Sequence, residues 1–369
     1  MKKIFLFFKT AVVLHSSILL LLLLTNCKKE CKNCDSTNQN LIIDDRGNVT
    51  TFAGSGSAAN TNGTGTTASF NSPDAIAIDD SGNIYVADCY NHMVRKITPS
   101  GIVTTLAGSS SPGRADGVGT AASFYYPRGI ALDKDGTIYV ADYGNYIIRK
   151  ITKTGIVSTF AGSGTRANVD GIGNTASFSG PIGIIVDKSG SVFVSDMDYS
   201  KIRKITPSGE VTTIAGLSGE GYKNGTGAVA IFSAPQGLAL DTVGNLYIAD
   251  NGNHVIRKIT PDGIVSTFAG SGVKGSADGS LELATFSKPR DVIIDYAGNL
   301  YVADLGNNNI RKITTSGTVT TLAGNGTAGN NNGIGTKASF YWPTGVAVDS
   351  SGNIYVTDEL NNLIRKITP

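Results

Sequence analysis

Charged side chains are scarce in this sequence: Asp, Glu, Lys and Arg make up 16% of its 369 residues, against about 25% in an ordinary soluble domain. Glu, Lys, Ala and Leu are too few to build long charged helices, so an architecture of that kind is excluded. The sequence also lacks an excess of basic over acidic residues in its main part. Lys2, Lys3 and Lys9 account for three of the 31 basic residues, which leaves 28 Lys and Arg against 29 Asp and Glu after residue 26. A body with a net charge of −1 is a poor match for phosphate backbones, and we expect no nucleic acid partner.

Cysteine is also rare, and its four positions point to no particular chemistry. Cys31 and Cys34 form a CxxC pair, but a redox motif of this kind needs a strand followed by a helix, which the surrounding residues do not predict. A single CxxC pair is also a poor zinc site. We interpret the pair as a local disulfide or two inert thiols, and Cys89 stands alone in a later loop.

The first 26 residues have the layout of a signal peptide, with a positively charged start and an apolar run that ends just before Cys27. The sequence LTNC at 24–27 resembles a bacterial lipobox, although Asn26 is larger than the usual Gly or Ala. The resemblance implies cleavage after residue 26, a lipid on Cys27 and a polar tether over 27–45. The alternative is an uncleaved anchor, for which the apolar stretch is short against a span of about 20 residues. We therefore expect a membrane-anchored, extracytoplasmic lipoprotein of the bacterial cell envelope.

A 54-residue repeat dominates the rest of the chain. Proline recurs at this spacing at Pro73, Pro127, Pro181, Pro235, Pro289 and Pro343. Aspartate recurs in the same register at Asp88, Asp142, Asp196, Asp250, Asp304 and Asp358, and arginine at Arg95, Arg149, Arg203, Arg257, Arg311 and Arg365. A fixed period of this size indicates a repeat array.

Each repeat predicts four short strands, because β-branched and aromatic segments alternate with Gly-containing turns. In the second repeat these strands cover 127–133, 137–142, 147–152 and 156–160. Four-stranded units in radial array form a β-propeller. Residues 46–369 number six times 54, and this array begins with residues that match a fourth strand and ends after a third strand. We therefore predict an all-β, six-bladed propeller of four-stranded antiparallel blades over 46–369, whose sixth blade combines 343–369 with about 46–54.

The motifs within each repeat resemble NHL repeats. They read Pro-x-Gly-Ile-Ala-Leu-Asp, Gly-Asn-Ile-Tyr-Val-Ala-Asp and Gly-Asn-His-x-Ile-Arg-Lys-Ile, and the last is clearest at 252–259. The similarity extends over 41–369, with a unit that is lengthened in the Gly-rich connection between blades. It implies a six-bladed propeller. NHL propellers include protein-binding and RNA-binding platforms, kinase sensor domains and a peptide-amidating lyase, so the fold alone does not set the function.

The repeated charges and the Gly-rich connections have structural explanations. An active site is local, whereas the Asp and Arg of the repeat occur in all six units, so we interpret them as buried pairs that satisfy strand ends. Only three connections have aspartate at their Asp-Gly position, and one carboxylate there is too few for calcium. No helix is predicted after the connections to support a phosphate. We therefore expect no cofactor.

Histidine occurs beyond residue 26 only at His92 and His254, three repeats apart. The resemblance to NHL propellers implies a three-histidine zinc site in the amidating lyase, which two histidines on opposite blades do not reproduce. A nucleophile elbow is missing as well. The sequence does not point to catalysis, and a metal-dependent lyase or lactonase-like enzyme with its site in the central channel is the alternative function.

Variation between repeats identifies a candidate binding face. The loop after each second strand and the residues around the repeated proline differ most, and both are expected at one face of the propeller. The candidate partner-binding residues are Tyr125, Tyr126, Arg128, Lys288, Arg290, Tyr341, Trp342, His92 and His254. Because Tyr, Trp and Arg dominate binding hot spots, we predict a non-catalytic platform for a protein or glycan partner. Aromatic residues that only cover blade junctions are the structural alternative.

The lipobox resemblance generates a test of the membrane anchor. Cys27→Ala should release the protein from membranes or leave an uncleaved precursor, because the lipid has no other acceptor at the signal-peptide junction. Metabolic labelling with a fatty acid, followed by membrane fractionation, measures both effects. Failure of the label to enter the wild-type protein would show that Cys27 is not lipidated.

Overall fold

The repeat folds as six antiparallel sheets arranged in a ring. The computed structural model describes residues 46–217 and 219–369, so the expected signal peptide, the lipid site Cys27, the tether and the CxxC pair lie outside the described residues. The first strand of each sheet packs against the first strands of both neighbouring sheets, and the sixth packs against the first. The ring therefore closes around a central channel, and the predicted all-β, six-bladed propeller is confirmed.

Each blade contains the four predicted strands, numbered outward from the channel. The first strands of blades 1 to 6 are Pro73–Ile78, Pro127–Leu132, Pro181–Val186, Pro235–Leu240, Pro289–Ile294 and Pro343–Val348. The second strands are Ile84–Asp88, Ile138–Asp142, Val192–Asp196, Leu246–Asp250, Leu300–Asp304 and Ile354–Asp358. The third strands are Met93–Ile97, Ile147–Ile151, Lys201–Ile205, Val255–Ile259, Asn309–Ile313 and Leu363–Thr368. The fourth strands are Ile102–Ala107, Ile156–Ala161, Glu210–Ala215, Ile264–Ala269, Thr318–Ala323 and, in blade 6, Asn48–Ala53.

A fifth strand of two residues completes each blade, in addition to the four that the sequence predicts. These strands are Gly63–Thr64, Gly117–Val118, Gly171–Ile172, Gly225–Thr226, Gly279–Ser280 and Gly333–Ile334. In blade 1, Gly63 and Thr64 pair with Val103 and Ile102 of the fourth strand. The Gly-rich connection thus lies along the outer edge of its own blade before it reaches the first strand. Covering part of an edge limits pairing with other chains.

Single 3₁₀ turns mark two places in the repeat. One kind follows the second strand in every blade, at Cys89–Asn91, Tyr143–Asn145, Met197–Tyr199, Asn251–Asn253, Leu305–Asn307 and Glu359–Asn361. The other kind follows the fifth strand, at Gly65–Thr67, Gly119–Ala121, Gly173–Thr175 and Gly335–Lys337. In the part of the chain that the structure describes, no helix is long and apolar enough to cross a membrane.

Apolar layers between adjacent blades form the core. Between blades 2 and 3, Tyr139 and Ala141 of one blade pack with Phe178 and Val192 of the next. A fully buried phenylalanine ends each Gly-rich connection, at Phe70, Phe124, Phe178, Phe232, Phe286 and Phe340. Because each layer takes side chains from two blades, a single blade does not bury its apolar faces alone.

The repeated Asp and Arg form a buried ion pair in every blade, as predicted. In blade 1, Oδ2 of Asp88 lies 2.8 Å from Nη1 of Arg95, and neither side chain has exposed surface. Oδ1 of Asp88 accepts the backbone N–H of Asn71. Arg95 donates to the backbone carbonyls of Ser69 and Thr61. The pair therefore fixes the path of the Gly-rich connection as it enters the blade, and the equivalent distances in the other five blades are 2.8 to 3.2 Å.

Blade 6 is completed by the strand Asn48–Ala53, as the sequence predicts. This strand pairs antiparallel with Leu363–Thr368, and Val49 lies opposite Ile367. On its other side it pairs with Gly333–Ile334. The sixth blade therefore has the same five strands as the others, although its fourth strand comes from the opposite end of the repeat array.

Deleting residues 41–54 should destabilise the propeller more than deleting residues 28–40. The first deletion removes the fourth strand of blade 6 with its buried Val49 and exposes the edge of Leu363–Thr368. We expect its thermal midpoint to fall on the order of 5 °C or more below that of the second deletion. Differential scanning calorimetry measures the difference, and equal midpoints would argue against closure by this strand.

Candidate functional site

One end of the propeller gathers the residues that differ between repeats. Because the first and second strands are antiparallel, Pro73 at the start of one lies opposite Asp88 at the end of the other. The same pairing recurs in the other five blades. The residues around the repeated proline and the 3₁₀ turns after the second strands therefore lie together, as predicted. This end is termed the loop face.

The central channel reaches the loop face at a polar mouth. Its cavity has a volume of about 200 Å³ and is lined by the first strands, mainly with Ala, Gly, Ile, Leu and Val. The residues that follow the repeated prolines surround the mouth, and they comprise five residue types: Asp74, Arg128, Ile182, Gln236, Arg290 and Thr344. The polar chemistry of the channel thus lies at the end where the repeat varies.

Four of the mouth residues form a continuous polar network across the channel. Nη2 of Arg290 lies 2.6 and 2.7 Å from the two carboxylate oxygens of Asp74, and its Nη1 donates to Oε1 of Gln236 at 2.5 Å. Nη1 of Arg128 lies 3.3 Å from Oδ2 of Asp74. Asp74 and Arg290 are both buried. The network therefore joins blades 1, 2, 4 and 5 at the mouth.

A second carboxyl group, that of Glu359, lies within electrostatic reach of this network. Glu359 begins the 3₁₀ turn of blade 6. Burial raises the pKa of Glu359 to about 7; Asp74 contributes in the same direction, and Arg290 and Arg128 oppose it. Near neutral pH this carboxyl is therefore partly protonated, and it can either accept or donate a hydrogen bond.

The 3₁₀ turns of blades 1 to 3 begin with Cys89, Tyr143 and Met197, which also border the mouth. The guanidinium of Arg128 lies 4.9 Å from the ring centre of Tyr143. Nε2 of Gln236 donates to the sulfur of Met197 at 3.7 Å. Burial raises the pKa of the Cys89 thiol, so the thiolate needed for nucleophilic chemistry is disfavoured.

Asp291 is a partly buried residue at a position where four of the other blades have glycine and one has Ala75. Its oxygens accept the backbone N–H groups of Val292 and Val346 at 2.9 and 3.0 Å. The second of these bonds crosses to the neighbouring blade. Burial raises the pKa of Asp291 to about 7, against the opposing effect of the two hydrogen bonds.

Three tyrosines and a histidine contact one another where blades 1 and 2 meet at the loop face. Tyr125 stacks on Tyr126 with 4.6 Å between ring centres. Tyr90 and His92 contact Tyr126 edge to face, at 5.1 and 4.9 Å. Tyr90 and Tyr125 expose 49% and 36% of their surface. These four residues are termed the aromatic cluster.

Tyr341 and Trp342 form a second aromatic site, at the junction of blades 5 and 6. Both side chains are exposed, Trp342 to 45%. The backbone N–H of Trp342 donates to Oδ1 of Asn308 at 3.0 Å, and its φ of +57° lies in a region that bulky residues rarely adopt. The structure thus holds the backbone of Trp342 and leaves its indole accessible to solvent.

The two histidines have a structural role that sequence spacing does not indicate. Nδ1 of His92 accepts the backbone N–H of Tyr126 at 3.2 Å, and Nδ1 of His254 accepts that of Lys288 at 3.1 Å. The equivalent backbone group is held at other junctions by Ser200, Asn308 and Asn362. These bonds need an unprotonated ring nitrogen, and burial lowers the pKa of both histidines. Among residues 46–217 and 219–369, no three His, Cys, Asp or Glu side chains are placed to hold a metal ion.

The predicted binding residues occupy four places on the loop face. Arg128 and Arg290 lie at the mouth, Tyr125, Tyr126 and His92 in the aromatic cluster, Lys288 and His254 between blades 4 and 5, and Tyr341 and Trp342 between blades 5 and 6. The predicted set omits Asp74, Tyr90, Tyr143 and Glu359, which the structure brings to the same sites. Each differs from its counterparts in most other repeats, and that departure is the signal that could have identified it.

Comparisons with known proteins agree with the repeat motifs. The NHL repeat matches residues 70–97 and 340–367, and the Teneurin NHL domain matches residues 113–179. Over 265 residues the chain is 31% identical to the protein SUPPRESSOR OF QUENCHING 1, chloroplastic, of Arabidopsis thaliana, an alignment that covers 67% of this chain and 25% of that protein. The chain spans between a quarter and about half the length of the curated relatives that it matches first.

Solved bacterial structures are similar in fold. A structural genomics protein of unknown function from Bacteroides thetaiotaomicron has a TM-score of 0.68 and 25% identity, over 87% of this chain and 75% of that chain. An auxiliary nutrient binding protein from Bacteroides ovatus has a TM-score of 0.66 and 17% identity, over 88% of this chain and 77% of that chain. At 17% identity the second likeness shows the fold alone.

Replacing Asp291 with asparagine should remove a pH dependence of stability. The pKa of Asp291 is about 7 in the folded protein, whereas an ordinary aspartate has a pKa of 3.8. The folded protein therefore binds a proton at Asp291 more tightly than the unfolded chain does. Relative to Asp291→Asn, the wild type should therefore lose about 1–3 kcal/mol of unfolding free energy as the pH rises from about 4 to 7. Urea unfolding of both proteins across this range measures the difference, and parallel profiles would contradict it.

Proposed function

We propose that this chain, an NHL-repeat β-propeller, is a lipid-anchored extracytoplasmic binding protein that holds a protein or glycan partner on its loop face without transforming it. The observation that carries the proposal is the exposed aromatic surface of the loop face, at Tyr90, Tyr125, Tyr341 and Trp342. Exposed apolar surface of this kind marks interaction sites when it is clustered, and Tyr and Trp dominate binding hot spots. The same fold occurs in an auxiliary nutrient binding protein, so a binding role is compatible with the fold.

The repeat itself does not need bulky residues at these positions. At the position of Trp342 the other blades have Ser72, Tyr126, Gly180, Ala234 and Lys288. The junction therefore forms equally with side chains of very different size. A non-glycine residue at positive φ costs about 1–2 kcal/mol, so a tryptophan kept in that conformation and left exposed is better explained by recognition than by packing.

The anchor in this proposal rests on the lipobox resemblance at Cys27. A lipid there would hold the protein at the membrane, and the polar residues 28–40 would separate the lipid from the propeller. The loop face would then meet partners in the cell envelope rather than in the cytoplasm.

An enzyme with its site at the channel mouth is the second candidate. The observation in its favour is Glu359, whose pKa of about 7 suits a general acid or base near neutral pH. A lyase or lactonase-like enzyme of this fold would also hold a metal ion in the channel. Metal analysis of the purified protein separates the two candidates, because a stoichiometric and tightly held ion would favour the enzyme.

Trp342→Ala and Tyr126→Ala should each weaken partner binding without unfolding the propeller. Truncation of a hot-spot aromatic residue typically costs about 2 kcal/mol or more, which corresponds to roughly 30-fold in affinity. A pull-down from the native envelope fraction identifies the partner, and affinity measurements on both variants beside melting curves test the effect.

Tyr296→Ala provides the matched control for these variants. Tyr296 is 86% exposed and lies in the turn between the first and second strands of blade 5, at the end opposite the loop face. This variant should bind as the wild type does. Unchanged affinity of Trp342→Ala together with a large fall in its melting temperature would show that the aromatic residues only pack the junction.

A further inference from the structure

The aromatic cluster adjoins the channel mouth, because Tyr126 and Arg128 lie two residues apart where the chain enters blade 2. Partial desolvation of its side chain and the neighbouring Tyr125 raise the pKa of Tyr126, whereas the positive charge of Arg128 lowers it. The hydroxyl of Tyr126 therefore lies within electrostatic reach of the Arg128 guanidinium. That guanidinium in turn lies over the ring of Tyr143 at 4.9 Å. Arg128 thus contacts the ring of Tyr143 on the 3₁₀ turn of blade 2 and lies two residues after Tyr126 of the aromatic cluster.

Arg128 has hydrogen-bond donors that the folded chain does not use. Its single ion pair, from Nη1 to Asp74, is 3.3 Å long, and its side chain remains 29% exposed. Nη2 of Arg128 makes no hydrogen bond with the described residues. By contrast, Arg290 at the same mouth is buried and bonded to both Asp74 and Gln236. Arg128 is therefore the mouth cation with donors left for a ligand.

Glu359 supplies the complementary group. Its carboxyl oxygens have no hydrogen bond or ion pair with any residue of 46–217 or 219–369, although the charges of Arg128 and Arg290 act on it. The carboxyl is thus close enough to Arg128 for an electrostatic effect and too far for a direct ion pair. A ligand between them can accept from the guanidinium and donate to the carboxyl.

We propose that this surface binds a neutral saccharide, whose ring packs against the tyrosines of the aromatic cluster and whose hydroxyl groups bridge Arg128 and Glu359. The inference rests on the proposed binding function and names the chemical class of its ligand. Of the two partner classes in that proposal, a protein and a glycan, we favour the glycan for this part of the loop face.

The chemistry of the surface favours a neutral polyol over an ion. A hydroxyl group both donates and accepts, so one hydroxyl or a vicinal pair satisfies an arginine, which only donates, and a carboxylate, which accepts. The charges of Arg128 and Arg290 are opposed by that of Asp74 and, in its ionised form, by that of Glu359, so the overall field favours neither an anion nor a cation strongly. The stacked pair Tyr125 and Tyr126 adds a flat apolar surface for the C–H face of a sugar ring.

Isothermal titration calorimetry on the purified protein tests this inference. The neutral probes are maltohexaose, cellohexaose, xylohexaose and mannohexaose, and the charged probes are hexagalacturonic acid and the chitosan hexamer. We expect at least one neutral hexasaccharide to bind, and to bind more tightly than either charged one. Absence of binding by all four neutral probes at millimolar concentration, or tighter binding of a charged probe, would overturn the inference.

Two variants locate the saccharide. Tyr90→Ala removes an exposed ring of the cluster, and Arg128→Lys keeps a positive charge beside Asp74 but loses the planar set of N–H donors. Each should lower the affinity for the bound saccharide at least about tenfold. Tyr296→Ala should leave it unchanged, and melting curves check that every variant is folded. A saccharide affinity that neither Tyr90→Ala nor Arg128→Lys changes would place the sugar elsewhere and contradict the inference.

The outcome also separates this inference from the broader proposal. If the envelope partner is captured in a manner that depends on Trp342 and no neutral saccharide binds, the protein is a binding platform and the saccharide inference is wrong. If neither the envelope fraction nor any probe yields a ligand, both are wrong. Saccharide binding that depends on Arg128 supports both together.

Discussion

The buried ion pair at the end of each second strand is the interaction on which the rest of the propeller depends. Asp88 and Arg95 in blade 1 are fully enclosed, and the guanidinium also lies 5.4 Å from the ring centre of Phe70. Removing one partner of such a pair typically costs about 3–5 kcal/mol, because a charge is left buried without compensation. The pair contacts the Gly-rich connection through backbone groups. The connection is therefore fixed in position while most of its side chains remain free to vary.

That freedom explains why a sixfold scaffold has a loop face without sixfold symmetry. Backbone N–H and carbonyl groups are the same in every blade, so Asp88 accepts from Asn71 in blade 1 just as Asp358 accepts from Tyr341 in blade 6. Differences accumulate where the scaffold imposes no side chain, at the residues before and after the repeated proline and in the 3₁₀ turns. The polar network at the channel mouth consists of such residues, and it joins blades that are far apart in sequence, as Asp74 and Arg290 show.

The architecture could be predicted from the sequence because a strict period carries it. Six repeats in one register define the strands, the buried pairs and the completion of blade 6, each of which depends on local pattern. The fifth strands escaped prediction because a Gly-Thr or Gly-Val pair has no alternating apolar pattern. The polar network at the channel mouth was not predictable, because the spacing of strands in the sequence does not show which side chains meet across the channel. The bonds of His92 and His254 to the next blade escaped prediction for a similar reason, because they depend on the relative placement of two loops.

Completion of blade 6 by two distant strands has a consequence for how the protein folds. Asn48 pairs with Thr368. The first strand of the array to be synthesised therefore cannot pair fully until the last strand has been synthesised. Contacts of such high sequence separation slow folding, since loop entropy is lost before the contact forms. The ring therefore cannot be completed blade by blade as the chain is synthesised. Until the final strand is available, the apolar layers beside blade 6 stay open and susceptible to aggregation.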